Sequence, residues 1–175
     1  PYRVLRDFTP ISLVAYFPNL LAVNNELPVS NLTELIALAK AKPGMSFATG
    51  GIASSGQLAG ELFMLRTGTK FNHLPYKEVG QAVTDVIANH VPIIIYQVPA
   101  LVAQIKANKL KALAVTSAEP WAAAASIPTM VQSGFPGSTI LSVFGLVAPA
   151  GTPVAVVSKL SAALSQALRT EANRK

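Results

Sequence analysis

The sequence predicts an α/β fold with a mostly parallel sheet flanked by helices. Two observations carry that expectation. Short apolar, β-prone runs alternate along the whole chain with segments whose apolar residues recur at helical spacing. That is the pattern of strand–helix–strand units joined by right-handed crossovers. One run, Val91–Tyr96 (VPIIIY), is apolar at nearly every position, as a central strand buried on both faces requires.

The elements follow in order. Residues 1–17 open with a polar stretch, Tyr2–Asp7, and an apolar one, Ile11–Phe17. Pro18 interrupts, and Leu20–Val23 resumes as a strand. Asn31 with Glu34 three residues on forms a capping box ahead of a stripe at Leu32, Leu35, Ile36 and Ala39, and Pro43-Gly44 ends that helix. Met45–Thr49 is a short strand. Ser54 with Gln57 caps a second helix, which carries apolar residues at helical spacing at Leu58, Leu62 and Leu65 and whose stop is Gly68. A strand Phe71–Tyr76 leads to a helix Gly80–Ala88 with Val83, Val86 and Ile87 inward and Asn89 as its left-handed stop. After the central strand, Leu101, Val102 and Ile105 mark a helix closed at Asn108, and Ala112–Thr116 is another strand. Residues 117–139 show little periodicity and are expected to be a long loop with one short helix. Leu141–Val147 is the last strand. Thr152-Pro153 opens the last helix, with Val157, Leu160, Leu164 and Leu168 on its buried face.

Composition narrows the function classes. Of 175 residues 51% are apolar and 13% charged, enough to bury a core. No apolar run reaches the roughly 18 residues that span a bilayer. There is no cysteine, hence no disulfide and no thiolate metal site. The two histidines, His73 and His90, lie at no metal-ligand spacing, so neither a metal nor a cofactor is expected. No nucleophile–base pair and no suggestive carboxylate pair is present, which argues against an enzyme. The net charge is +6, but the basic residues are scattered singly, so no nucleic-acid partner is expected. A diffuse positive balance modestly favours anionic ligands. The chain begins at Pro1 without methionine, as it would after removal of a leader or from a start within a longer protein.

The stretch FATGGIASSGQLAGELFML, Phe47–Leu65, carries the most chemistry. A strand hands over to a loop of small residues and then to a helix. A helix N-terminus leaves backbone N–H groups without partners and carries a partial positive charge. Glycines ahead of it let a ligand approach, and serines add hydroxyls, so the pattern suits a carboxylate or phosphate. The same letters also serve a plain turn and cap. Gly51 and Gly56 have the glycine spacing of a phosphate loop, but Gln57 and Leu58 stand where its lysine and hydroxyl belong. Neither serine has the flanks of a hydrolase nucleophile elbow. In open α/β sheets ligands bind outside the carboxyl ends of strands, and polar sequence falls there at Thr49–Ser55, Tyr76–Lys77 and Tyr96–Gln97.

Five segments resemble a known family. FATGGIASSGQLAGELF, FNHLPYKEVGQAVTDVIANHV, KLKALAVTSAEPW, IPTMVQSGFPG and GLVAPAGTPVAVVSKL are similar, in order and spacing, to the Bug family, the periplasmic solute-binding receptors of tripartite tricarboxylate transporters. The resemblance implies a lobe of the periplasmic-binding-protein type II kind, no catalysis, a small organic carboxylate as ligand, membrane components of a tripartite transporter as partners, and a periplasmic location. It implies a first-lobe remnant at residues 1–17, a second, ligand-binding lobe at 18–141, and a return strand and helix at 142–175, with Ile11–Ala22 and Leu141–Ala148 crossing between lobes. Family members are nearly twice as long and start with a leader and a lobe bearing a Pro-Pro-Gly-Gly loop, so the chain would enter that lobe near Asp7-Phe8 and stop within a helix Pro153–Ala172. The family's glycine/serine loop falls on Thr49, Gly50, Gly51, Ser54 and Ser55, with Ala53 for a usual glycine and Gln57 for a usual histidine. Its valine-proline-tyrosine-lysine-glycine run falls on His73–Glu78, and its usual acidic residues near the central strand are Pro92 and Tyr96 here. The expected ligand-binding set is Thr49, Gly50, Gly51, Ser54, Ser55, Tyr76 and Gln97, with loop amides and serine hydroxyls on one carboxylate and Tyr76 and Gln97 lining the rest. The alternative from another class is the effector-binding domain of a transcription regulator, which has a similar fold.

Overall fold

The computed structural model describes residues 2–170. Two compact units are present, Phe17–Ser142 and a second made of Pro1–Tyr16 with Val143–Lys175.

In the larger unit, helices alternate with strands as the periodicity predicts. The elements are β1 (Phe8–Asn24, shared with the other unit), α2 (Leu32–Ala41, numbered after α1, Val4–Asp7), β2 (Met45–Thr49), α3 (Ser55–Thr67), β3 (Phe71–Pro75), α4 (Val79–Ile87), β4 (Ile93–Gln97), α5 (Val98–Lys106) and β5 (Leu110–Val115). A single 3-10 turn, Ala122–Ala124, interrupts the long loop. Sheet order is β3-β2-β4-β1-β5. The sheet is mixed: β2 is parallel to β3 and β4, and β1 lies antiparallel between β4 and β5. β4 is the central buried strand expected, with Ile93, Ile94 and Ile95 at most 2% exposed.

Both faces of this sheet are covered. Leu20, Ala22, Ala48 and Ile94 meet Val83 and Val86 of α4 and Leu101 of α5. On the other face Leu21, Phe47, Ile93 and Ile95 meet Leu32 and Leu35 of α2 and Ala59 and Phe63 of α3. Alternate residues of one strand thus serve two cores.

Local signals fall where expected. The Asn31 side chain accepts from the Glu34 amide at 2.9 Å and Glu34 accepts from the Ser30 amide at 2.6 Å. Asn89 and Asn108 are left-handed at φ 60° and 53°, and Gly68 closes α3 at φ 67°.

Two expectations are corrected, and one helix turns a different face than its leucines suggest. Pro18 does not interrupt β1, which runs on from Phe8 to Asn24; the fixed φ of proline suits extended backbone and removes only one ladder donor. The α3 helix forms at the spacing of Leu58, Leu62 and Leu65, but these do not mark its buried face: Leu58 and Leu65 are 55% and 80% exposed. Gly56, Ala59, Gly60, Phe63 and Thr67 face the sheet instead. Finally, α6 (Val154–Leu168) contains no buried residue. Leu160 is 42% exposed, so the face of Val157, Leu160, Leu164 and Leu168 is not a buried one among the described residues. An amphipathic stripe is buried only where a surface covers it. Ala172, expected in that helix, lies outside the described residues.

The smaller unit holds α1, the first part of β1, most of β6 (Leu141–Pro149), which pairs with β1, and α6. In it Arg6 Nε lies 2.5 Å from Asp7 Oδ1 and holds that carboxyl below its ordinary range.

Candidate functional site

The site is built at the carboxyl edge of the parallel strands, where β2 hands over to α3. Small residues bring the helix onto the sheet. A Cβ on Gly56 would lie 2.3 Å from the Ile95 carbonyl oxygen, and one on Gly60 2.5 Å from the Phe47 ring. No larger residue fits at these two points, so the N-terminus of α3 sits directly over the end of β4.

Four loop amides are taken by the loop itself. Gly51 N–H donates to Thr49 Oγ1 at 3.3 Å, and Ser54 N–H to Gly51 O at 3.4 Å. Ala53 N–H donates to Gln57 Oε1 at 2.7 Å, and Gln57 N–H to Ser54 Oγ at 3.2 Å. The capping pair therefore forms as predicted, although Gln57 reaches back to Ala53 and not to Ser54. The amides of Ser55 and Gly56, the first two of the helix, have no acceptor among the described residues. Ala53 is left-handed at φ 58°, which is strained for a residue with a Cβ.

The seven expected site residues divide into four sets. Thr49 is fully buried and faces inward, its hydroxyl 2.6 Å from His73 Nε2. Burial holds the His73 imidazole below its ordinary pKa, against an opposing pull from Glu61, so the pair is a neutral lock on the loop. Gly50 lies under the Tyr96 ring; a Cβ there would be 2.3 Å from Tyr96 Cε2. Gly51, Ser54 and Ser55 sit with it at the helix mouth. Tyr76 packs on the α4 side, and its hydroxyl donates to Asp85 at 2.8 Å, so its proton is committed. That hydrogen bond keeps Asp85 ionised to a lower pH than usual. Gln97 ends β4, half-buried, on the same face of the sheet as Ile95.

Sequence reasoning missed Asn19. It is the cross-strand partner of Gln97, is fully buried, and accepts from Ser55 Oγ at 3.2 Å through Oδ1. Its signal is a polar residue two positions before Leu21 in an otherwise apolar run, which period-two alternation places on the α3 face. Asn19, Thr49, Ser55 and Gln97 are all neutral. They can orient an anion held by the helix N-terminus, and none of them is a strong nucleophile or base. Among the described residues no three His, Cys, Asp or Glu gather as metal ligands. No described helix is long and apolar enough to cross a membrane.

Known proteins bear on this geometry. BugT of Bordetella pertussis is 36% identical over 173 residues, 98% of this chain and 53% of BugT, so the chain spans about half of that relative. The structure of R. palustris Rpa4515 with adipate superposes with a TM-score of 0.90 at 32% identity, over 98% of this chain and 58% of that one. That of MatC from Rhodopseudomonas palustris with bound malate gives 0.90 at 28% identity, over 99% and 59%. The fold is thus of the periplasmic-binding-protein type, as expected, with a mixed sheet. The model of the tripartite tricarboxylate transporter family receptor matches residues 1–175 throughout, and the chain belongs to that family of solute-binding receptors.

Proposed function

We propose that the chain supplies a ligand-binding lobe to a periplasmic receptor, which captures a small carboxylate for a tripartite tricarboxylate-type transporter and catalyses nothing. The supporting observation is the mouth of α3, where the Ser55 and Gly56 amides are unpaired beside neutral side chains at the carboxyl edge of the sheet. Fixed N–H dipoles of this kind favour an anion without an ammonium or guanidinium nearby. Two similar structures carry dicarboxylates, adipate and malate.

In this reading the amides of Ser55 and Gly56 and the Ser54 hydroxyl, whose proton is not used by the cap, hold one carboxylate. Gly50 and Gly51 let it approach, Thr49 holds the loop from behind, and Gln97 lines the remaining space. Tyr76 shapes the wall and does not donate, because Asp85 has its proton. Membrane components of the transporter take the ligand on.

Isothermal titration of the whole receptor against a carboxylate panel including malate and adipate tests this. Saturable heat with at least one member is expected; none, with the protein folded, overturns it. This chain alone should bind more weakly than the whole receptor, since half a cleft leaves the ligand in water.

A further inference from the structure

The hydroxyl at the mouth of α3 can be counted proton by proton. Ser55 Oγ donates to Asn19 Oδ1 at 3.2 Å and lies 2.5 Å from Ser142 Oγ. A hydroxyl has one proton. With that proton on Asn19, Ser142 must donate to Ser55. The Ser55 hydroxyl is then a relay between β1 and the start of β6, and it has nothing to donate to an anion. The expectation that both serine hydroxyls grip a carboxylate fails for Ser55 on this count, and its contribution there is its backbone amide.

Asn19 has the opposite imbalance. Its backbone is fully engaged: N–H donates to Thr116 Oγ1 at 2.8 Å, and its carbonyl accepts from Thr116 N–H at 2.9 Å. Its Oδ1 holds Ser55. Its Nδ2 is buried and has no partner among the described residues. Buried donors are nearly always paired, because an unpaired one is costly. Asn24 on the same strand shows the ordinary outcome: its Nδ2 donates to Val86 O at 2.7 Å and Ile87 O at 3.0 Å. Of these two buried asparagines, the unpaired donor belongs to the one that touches the first residue of α3; elsewhere among the described residues Ser117 Oγ and Ser138 Oγ are also buried without a partner.

We propose that Asn19 is a recognition residue of this site, its carboxamide orienting Ser55 through Oδ1 and offering Nδ2–H to a ligand oxygen. This rests on the carboxylate-receptor reading above. Asn19 then adds a neutral side-chain donor to the Ser55 and Gly56 amides, and the ligand class it selects is one whose carboxylate presents two oxygens to the helix mouth.

The test uses the whole receptor with malate and adipate as probes. Asn19→Asp keeps an acceptor for Ser55 and removes the donor; Asn19→Leu removes both. Both variants should weaken binding of the preferred probe at least 30-fold, with Asn19→Asp retaining more of the wild-type melting temperature than Asn19→Leu. In the unmodified receptor, the Asn19 side-chain amide resonances should move when the probe saturates. Folded variants that bind within threefold of wild type, or amide resonances that stay put on saturation, overturn the role of Asn19 and leave the receptor reading standing. A wild-type receptor that binds no carboxylate at all overturns both. If neither variant folds, the resonance shift alone decides.

Discussion

Helices α3 and α4 each follow a parallel strand and each cover one face of the same sheet, but they rest on it by different means. α4 uses bulk, with Val83 and Val86 in the core and apolar residues concentrated on one side. α3 begins with the absence of bulk, with Gly56, Ala59 and Gly60 against the sheet at Ile95 and Phe47, Phe63 entering the core only a turn further on, and Leu58 and Leu65 turned to solvent. A helix that packs through small residues sits closer to the strands. The difference bears on the proposed site: α3 brings its open amides to the strand ends, near Asn19, whereas α4 begins at Glu78 without a side-chain cap and packs through Ala82, Val83 and Val86.

Substitutions can break this comparison in a graded way. Gly56→Ala should be the most damaging, at about 3 kcal/mol, because a backbone carbonyl cannot move aside for the new methyl group; urea unfolding measures it, and a loss under 1 kcal/mol would show that α3 can lift without penalty. Val86→Ala should cost about 2 kcal/mol by the same measurement, as the lost methyl groups leave a gap that α4 cannot close. Gly80→Ala should have the reverse sign, about 0.5 kcal/mol of stabilisation, since nothing lies within 4 Å of the added carbon. Acid should act on the α3 side through His73. Its pKa is lowered in the folded state, so the unfolded chain takes up the proton first. Stability is then full above the ordinary value of 6.5 and falls as pH drops below it. His73→Gln should flatten that part of the pH–stability curve, and an unchanged slope would show that the Thr49–His73 contact is not coupled to folding.

Features decided within a few residues were legible from the letters. The caps at Asn31 and Ser54, the left-handed stops at Asn89 and Asn108, and the small-residue loop from Gly50 to Gly56 depend only on local backbone and side chains. Features decided by approach distance were not. The leucines at helical spacing on α3 mark a helix but not its core face, because periodicity records which residues share a side, not which side meets the sheet. The direction of β1 was equally hidden, since an apolar run reads the same up or down. Of the site, the loop was legible, but Asn19 lies far from it in sequence and meets Ser55 only through the sheet. The committed proton of Tyr76 depends likewise on Asp85, nine positions away on α4.

The placement of β1 also governs the order in which the chain can be assembled. It precedes its partners over residues 19–24, β4 and β5, which arrive only after residues 93–97 and 110–115 have been synthesised. Until then Leu20–Val23 is an apolar edge with no mate, the kind of segment that recruits strands from other molecules. The nascent chain therefore passes through a vulnerable interval whose length is set by how fast residues 25–115 are made, and factors that shield extended apolar segments should raise its yield more than factors that speed helix formation.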